Sequence, residues 1–185
     1  MNTFHWLKGK TWGLSILTAA LTLSATASAA LPDSAELKQR ELADGLYEMV
    51  YSPTANALYV ASAQSFKNVN GGVLYKLDPT TLATQGETHT DLKNFGMAAD
   101  DNGKVYYTTN TLDGGVSKVD VQSGKVLQRL MFEGKDKDGD PVGAREILFH
   151  KGQLFIGGVA DPGFISVVDA NTMTCLLYTS PSPRD

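Results

Sequence analysis

An all-β chain built from repeated four-stranded units is what this sequence predicts, on three observations. A stretch of about 40 to 50 residues recurs three times, each copy alternates side chains with a period of two, and each copy carries glycine before one strand and aspartate after it. A recurrence of that length with short β segments inside it is the pattern of a β-propeller, in which each repeat is one antiparallel blade. The predicted fold is therefore a β-propeller fragment of about three four-stranded antiparallel blades, preceded by a cleaved signal peptide.

The repeat is read from three aligned segments. The first runs Ala57–Ser62 and then Gly71–Thr81, the second Lys104–Thr109 and then Gly114–Gly124, and the third Gln153–Gly158 and then Pro162–Thr172. In this alignment Tyr59, Tyr106 and Phe155 correspond at spacings of 47 and 49 residues, and Asp78, Asp120 and Asp169 at 42 and 49. Alternation such as Leu58 and Val60 against Tyr59 and Ala61 sends one set to each sheet face. Blades cover each other, so both faces can be apolar. The glycine pairs permit the positive φ of a tight hairpin. The aspartates are turn formers that accept backbone N–H groups two residues on, not catalysts. Strands are expected at 46–52, 57–63, 72–78 and 82–88, at 95–99, 104–109, 115–120 and 125–132, and at 145–149, 153–158 and 164–169. Residues 173–179 would supply the outer strand of the third blade.

The two ends read differently from the middle. Lys8 and Lys10, the uncharged apolar run 13–23 and Ala27-Ser28-Ala29 form a secretory signal ending at residue 29, too short to span a bilayer. Residues 30–45 form a leader, expected to lie loose or turn helical. The blades occupy 46–174, at approximately 46–90, 95–135 and 145–174. Residues 175–185 resemble a translated sequencing adapter and read as a non-native tail, which makes Cys175 no candidate nucleophile. Without the two ends 13 basic and 19 acidic residues remain, a charge of −6. That balance disfavours sequence-independent attraction to nucleic-acid phosphates. Three blades do not close a ring, so the chain is expected to be a piece of a longer protein, with apolar blade faces that promote self-association.

Several stretches resemble the YncE-like periplasmic seven-bladed β-propellers of the YVTN-repeat type: Gly45–Ser52, Asn56–Ala61, Gly71–Pro79, His89–Gly96 and Arg145–Leu148. The resemblance spans about residues 40 to 174. It implies about four further blades, a non-enzymatic periplasmic protein, and DNA as a partner by family resemblance alone. The polar insertion 133–141 departs from the family pattern.

Chemistry-bearing motifs are sparse. No nucleophile elbow, phosphate loop or Ser-His-Asp constellation occurs. His89 and Asp91 make two ligands, below the three or four of a zinc site, and His150 sits in a turn. Asp136, Asp138 and Asp140 alternate like a calcium loop, but Gly139 and Glu146 miss the required positions, so a solvated Asp-Gly turn is preferred. No metal and no cofactor are expected.

The candidate site follows from propeller geometry. The innermost strand of each blade begins at one mouth of the central channel, which places Tyr47, Glu48, Phe95, Gly96, Arg145 and Glu146 there. The loops joining second to third strands open on the same side, with Gln64, Ser65, Asn110, Thr111 and Asp161. Tyr47, Glu48, Phe95, Arg145, Glu146, Gln64 and Asn110 are the candidate ligand-binding residues, with Arg145 the sharpest because its planar fork fits carboxylate or phosphate. The bland alternative is that Glu48 and Arg145 merely pair across the blades. The expected function is a non-enzymatic periplasmic or envelope scaffold binding an envelope protein, peptide or small ligand at one face of the ring. The alternatives are single-stranded nucleic-acid binding, and a propeller enzyme or accessory of a cofactor-linked dehydrogenase.

Overall fold

A computed structural model describes residues 37–64 and 70–179. The signal region, Ser65 and the end of the tail lie outside the described residues. Among the described residues, twelve strands form three sheets, each a four-stranded antiparallel meander with neighbours in sequence order. The first holds β1 (Leu46–Ser52), β2 (Ala57–Ser62), β3 (Gly72–Leu77) and β4 (Thr84–Thr90). The second holds β5 (Met97–Ala99), β6 (Val105–Asn110), β7 (Gly115–Asp120) and β8 (Val126–Met131). The third holds β9 (Ala144–His150), β10 (Gln153–Gly158), β11 (Phe164–Asp169) and β12 (Thr174–Thr179). The expected blades are all present.

Strand pairing corrects the repeat register. Tyr59 faces Lys76, Tyr107 faces Lys118 and Phe155 faces Val167, each partner standing two residues before a turn aspartate. The equivalent residue in the second blade is therefore Tyr107, not Tyr106, and the spacing is an even 48 and 48. Consecutive strand residues point to opposite faces, so this one-residue slip changes which neighbour each tyrosine meets. The Tyr59 hydroxyl donates to the Val121 carbonyl of the second blade, and the Tyr107 hydroxyl to the Ala170 carbonyl of the third. Tyr106 instead packs back on the first blade with Tyr59, Leu74 and Met97. A second buried cluster, including Tyr107, Val116, Ile147, Leu154 and Val168, joins the second blade to the third.

Each third-to-fourth strand turn repeats in atomic detail. Asp78 Oδ1 accepts from the backbone N–H groups of Thr80 and Thr81 and from the Thr81 hydroxyl, at 2.7–3.0 Å. Asp169 Oδ1 does the same with Asn171 and Thr172, and Asp120 Oδ1 with the N–H and hydroxyl of Ser123. Four residues after each aspartate the chain turns through a left-handed residue, Leu82, Gly124 or Met173, at φ of 59°, 69° and 55°. Asp78 lies just past β3, whereas Asp120 and Asp169 close β7 and β11.

Other expectations shift at the edges. Residues 37–43 are neither helical nor loose. Lys38 Nζ donates to the Thr80 carbonyl at 2.6 Å and the Arg40 guanidinium to that of Leu82. His89 belongs to β4, opposite Val73, rather than to the connection between blades, because the outer strand continues to Thr90. Asp91 beside it takes a two-point ion pair from Arg129 of the second blade, at 2.7 and 3.0 Å. That pairing holds the Asp91 carboxyl below its ordinary pKa. The insertion closes as a small turn, in which Asp136 Oδ1 accepts from the N–H groups of Asp138 and Asp140. In the third blade, the tail residues up to Thr179 form most of β12, an exposed outer strand whose Tyr178 stacks on Phe164.

Candidate functional site

The innermost strands β1, β5 and β9 stand side by side, and the repeat places equivalent residues at their starts. Val50, Ala98 and Leu148 lie opposite Tyr59, Tyr107 and Phe155. Three positions earlier in each blade come Tyr47, Phe95 and Arg145, followed by Glu48, Gly96 and Glu146. Those six residues line one cleft of about 280 Å³. One pair of repeat positions has thus taken three chemistries: aromatic, aromatic and cationic at the first, carboxylate, glycine and carboxylate at the second.

Arg145 is held by stacking. Its guanidinium carbon lies 4.5 Å from the Tyr47 ring centre and 5.5 Å from that of Phe95, within cation–π range. The two rings stand 4.6 Å apart at a 58° tilt. Phe95 is buried, and Tyr47 is 38% exposed at the rim. Among the described residues none accepts a hydrogen bond from the guanidinium, and Arg145 lines the cleft. Glu48 does not pair with Arg145. Its Oε2 accepts the Met97 N–H at 2.8 Å, joining the first blade to the second. Burial raises the Glu48 pKa; the Met97 hydrogen bond opposes the rise, and the charge of Glu146 adds to it.

A threonine supplies the matching joint between the second and third blades. Thr109 Oγ1 accepts the Gly96 N–H at 2.8 Å and donates to the Arg145 carbonyl at 2.9 Å. Gly96 is required by proximity: a Cβ there would lie 2.2 Å from the Arg145 carbonyl oxygen and 3.2 Å from Glu48 Oε2. Thr111 Oγ1 adds a bond to the Ala144 carbonyl at 2.6 Å. Sequence reasoning passed over Thr109 as a strand residue. The signal was the run Thr108-Thr109-Asn110-Thr111, three polar residues ending a strand and one just past it, all of them buried.

Two candidates stand outside the cleft. Asn110 is buried, its amide nitrogen donating to the Lys93 carbonyl at 3.0 Å and its oxygen accepting from Ser117 at 2.7 Å. Its amide is consumed in tying strands to a loop, because the side chain points into the blade and not over the rim. Gln64 sits at φ +54° above Gly45, its N–H bonded to the Ser62 hydroxyl.

No family model matches the chain. Among curated proteins it is 30% identical over 177 residues to the uncharacterized protein YncE of Escherichia coli K12, covering 94% of this chain and 49% of that one. It is 32% identical over 142 residues to YncE of Escherichia coli O157:H7, covering 75% of this chain and 40% of the relative. The chain therefore spans about half the length or less of these relatives. Among solved structures, Kuenenia stuttgartiensis hydrazine synthase superposes with a TM-score of 0.61 at 15% identity, over 83% of this chain and 40% of that one. The WD40 repeats of RRP9 superpose at 0.60 and 14%, over 82% and 44%. These structural likenesses carry the fold alone. With three four-stranded blades and the YncE match over nearly its whole length, the chain is a YncE-like β-propeller fragment.

Proposed function

We propose that the protein is a non-enzymatic periplasmic scaffold whose channel mouth binds a small ligand through an acidic group. The observation that carries this reading is the Arg145 guanidinium, stacked on Tyr47 and Phe95 and without a hydrogen-bond acceptor among the described residues. The cation–π contacts hold the guanidinium over the rings, and its N–H donors suit a carboxylate or phosphate oxygen. Periplasmic location rests on the N-terminal order of basic, apolar and small residues. Mass spectrometry of periplasmic protein should find an N-terminus at Ala30, and a mature chain retaining Lys8 and Lys10 rejects that location.

Nucleic-acid binding is the weaker reading. Two aromatics and an arginine suit base stacking, but Glu48 and Glu146 beside them repel a phosphate backbone. Titration with acetate and inorganic phosphate, followed by amide chemical shifts, tests the anion site. The shifts should centre on residues 47–48, 95–97 and 145–146 and vanish in Arg145→Ala, while the melting temperature changes little. Shifts that survive Arg145→Ala reject Arg145 as the anchor.

A further inference from the structure

The charge arrangement of the cleft narrows the ligand further, on the reading that Arg145 receives an acidic group. Glu48 and Glu146 occupy the same repeat position in the first and third blades and both line the cleft, with Gly96 at that position in the blade between them. The cleft thus sets one guanidinium against two carboxylates. A simple anion would meet Arg145 but be opposed by the pair, and a simple cation would meet the pair but be opposed by Arg145. We propose that the cleft takes a small zwitterion, an amino acid or short peptide, with its carboxylate on Arg145 and its ammonium between Glu48 and Glu146.

Size and geometry agree with that class. The 280 Å³ cleft lies just below the range of about 300–1,000 Å³ typical of drug-sized ligands. Its floor is backbone: Gly96 has no Cβ, and its N–H is already taken by Thr109. Glu48 keeps one oxygen on the Met97 N–H, which fixes the carboxylate and leaves the other oxygen for a donor. Glu146 is exposed at the rim, where an incoming ammonium would first meet it. The aromatic pair lies against the guanidinium and adds apolar surface to the cleft.

Calorimetric and chemical-shift titrations with acetate, methylammonium and glycylglycine separate the possibilities. The dipeptide should bind at least tenfold more tightly than acetate at pH 6.5. That advantage should disappear in the Glu48→Gln, Glu146→Gln double variant, and also above pH 9, where a terminal ammonium of pKa about 8 is deprotonated. Glutamine at position 48 retains an acceptor for the Met97 N–H, so the variant keeps the joint between blades. Acetate binding equal to glycylglycine, or a dipeptide affinity unmoved by the double variant, overturns the zwitterion while leaving the anion site intact. Absence of any binding that depends on Arg145 overturns both.

Discussion

The two faces of the propeller arc obey different rules. On the underside, Asp78, Asp120 and Asp169 make the same turn three times, each accepting through Oδ1 and each followed four positions on by a residue in the left-handed conformation. At the mouth, the equivalent positions diverge into Tyr47, Phe95 and Arg145, and into Glu48, Gly96 and Glu146. Repetition on the underside reflects a constraint common to every blade: the third strand must reverse into the fourth. Divergence at the mouth reflects the absence of such a constraint, which leaves those positions available for binding. A repeat protein thus separates its structural residues from its candidate functional ones by whether the copies agree.

The largest expected effect tests whether the mouth is as tightly built as the underside. Gly96→Ala would drive a Cβ to 2.2 Å from the Arg145 carbonyl oxygen, a backbone atom that cannot rotate away. A loss of about 2–3 kcal/mol in urea unfolding is expected. Gly124→Ala places its Cβ 2.5 Å from Oγ1 and 2.8 Å from Cγ2 of Thr88, a side chain at the blade edge that can shift where a carbonyl cannot, at a φ that Leu82 and Met173 already adopt in the other blades. Its cost should stay near 1 kcal/mol, the strain of one left-handed residue. Equal costs at the two glycines would erase the distinction between the faces.

Most of the architecture was legible in the sequence because blade chemistry is local. Glycine and aspartate sit where the turns need them, so the three sheets and their turns follow from spacing. The tyrosine register was not legible, since Tyr106 and Tyr107 are adjacent and both aromatic, and only cross-strand pairing with Lys118 and Val119 tells them apart. At the mouth, counting back from the strands brought Tyr47, Glu48, Phe95, Arg145 and Glu146 to one place. The placing of Arg145 over the Tyr47 and Phe95 rings was not readable, because it depends on side-chain direction across three blades. Asn110 illustrates the opposite difficulty: its loop end suggested a rim position, but its hydrogen bonds turn it inward.

A smaller effect tests the equivalence of the underside turns. Asp78→Ala, Asp120→Ala and Asp169→Ala each remove an acceptor from backbone N–H groups at a largely exposed site. Thermal unfolding should show three small decreases of similar size, adding in the triple variant because the turns share no partners. One decrease several-fold above the other two would show that a turn has acquired a separate role.

The smallest effect concerns pH, where the faces should respond with opposite sign. The turn aspartates have lowered pKa values, Asp120 through the Ser123 hydroxyl and N–H. Their folded forms favour the charged carboxylate, so the stability they contribute is present above the unfolded pKa of about 3.9 and is lost as pH falls through the folded value. Glu48 is raised, first by burial and then by Glu146. Its folded form favours the neutral carboxyl, so its contribution is present below the unfolded pKa of about 4.3 and is lost as pH rises through the folded value. Urea unfolding of the parent protein, Asp120→Asn and Glu48→Gln between pH 3 and 7 separates the two signs. The parent's advantage over Asp120→Asn should shrink as pH falls. Relative to Glu48→Gln, the parent should lose stability as pH rises, since glutamine keeps the Met97 bond without a charge to desolvate. Differences that move in the same direction for both variants would mean that the Glu48 carboxylate is stabilised at the mouth, and the opposition between the faces would then rest on shape alone.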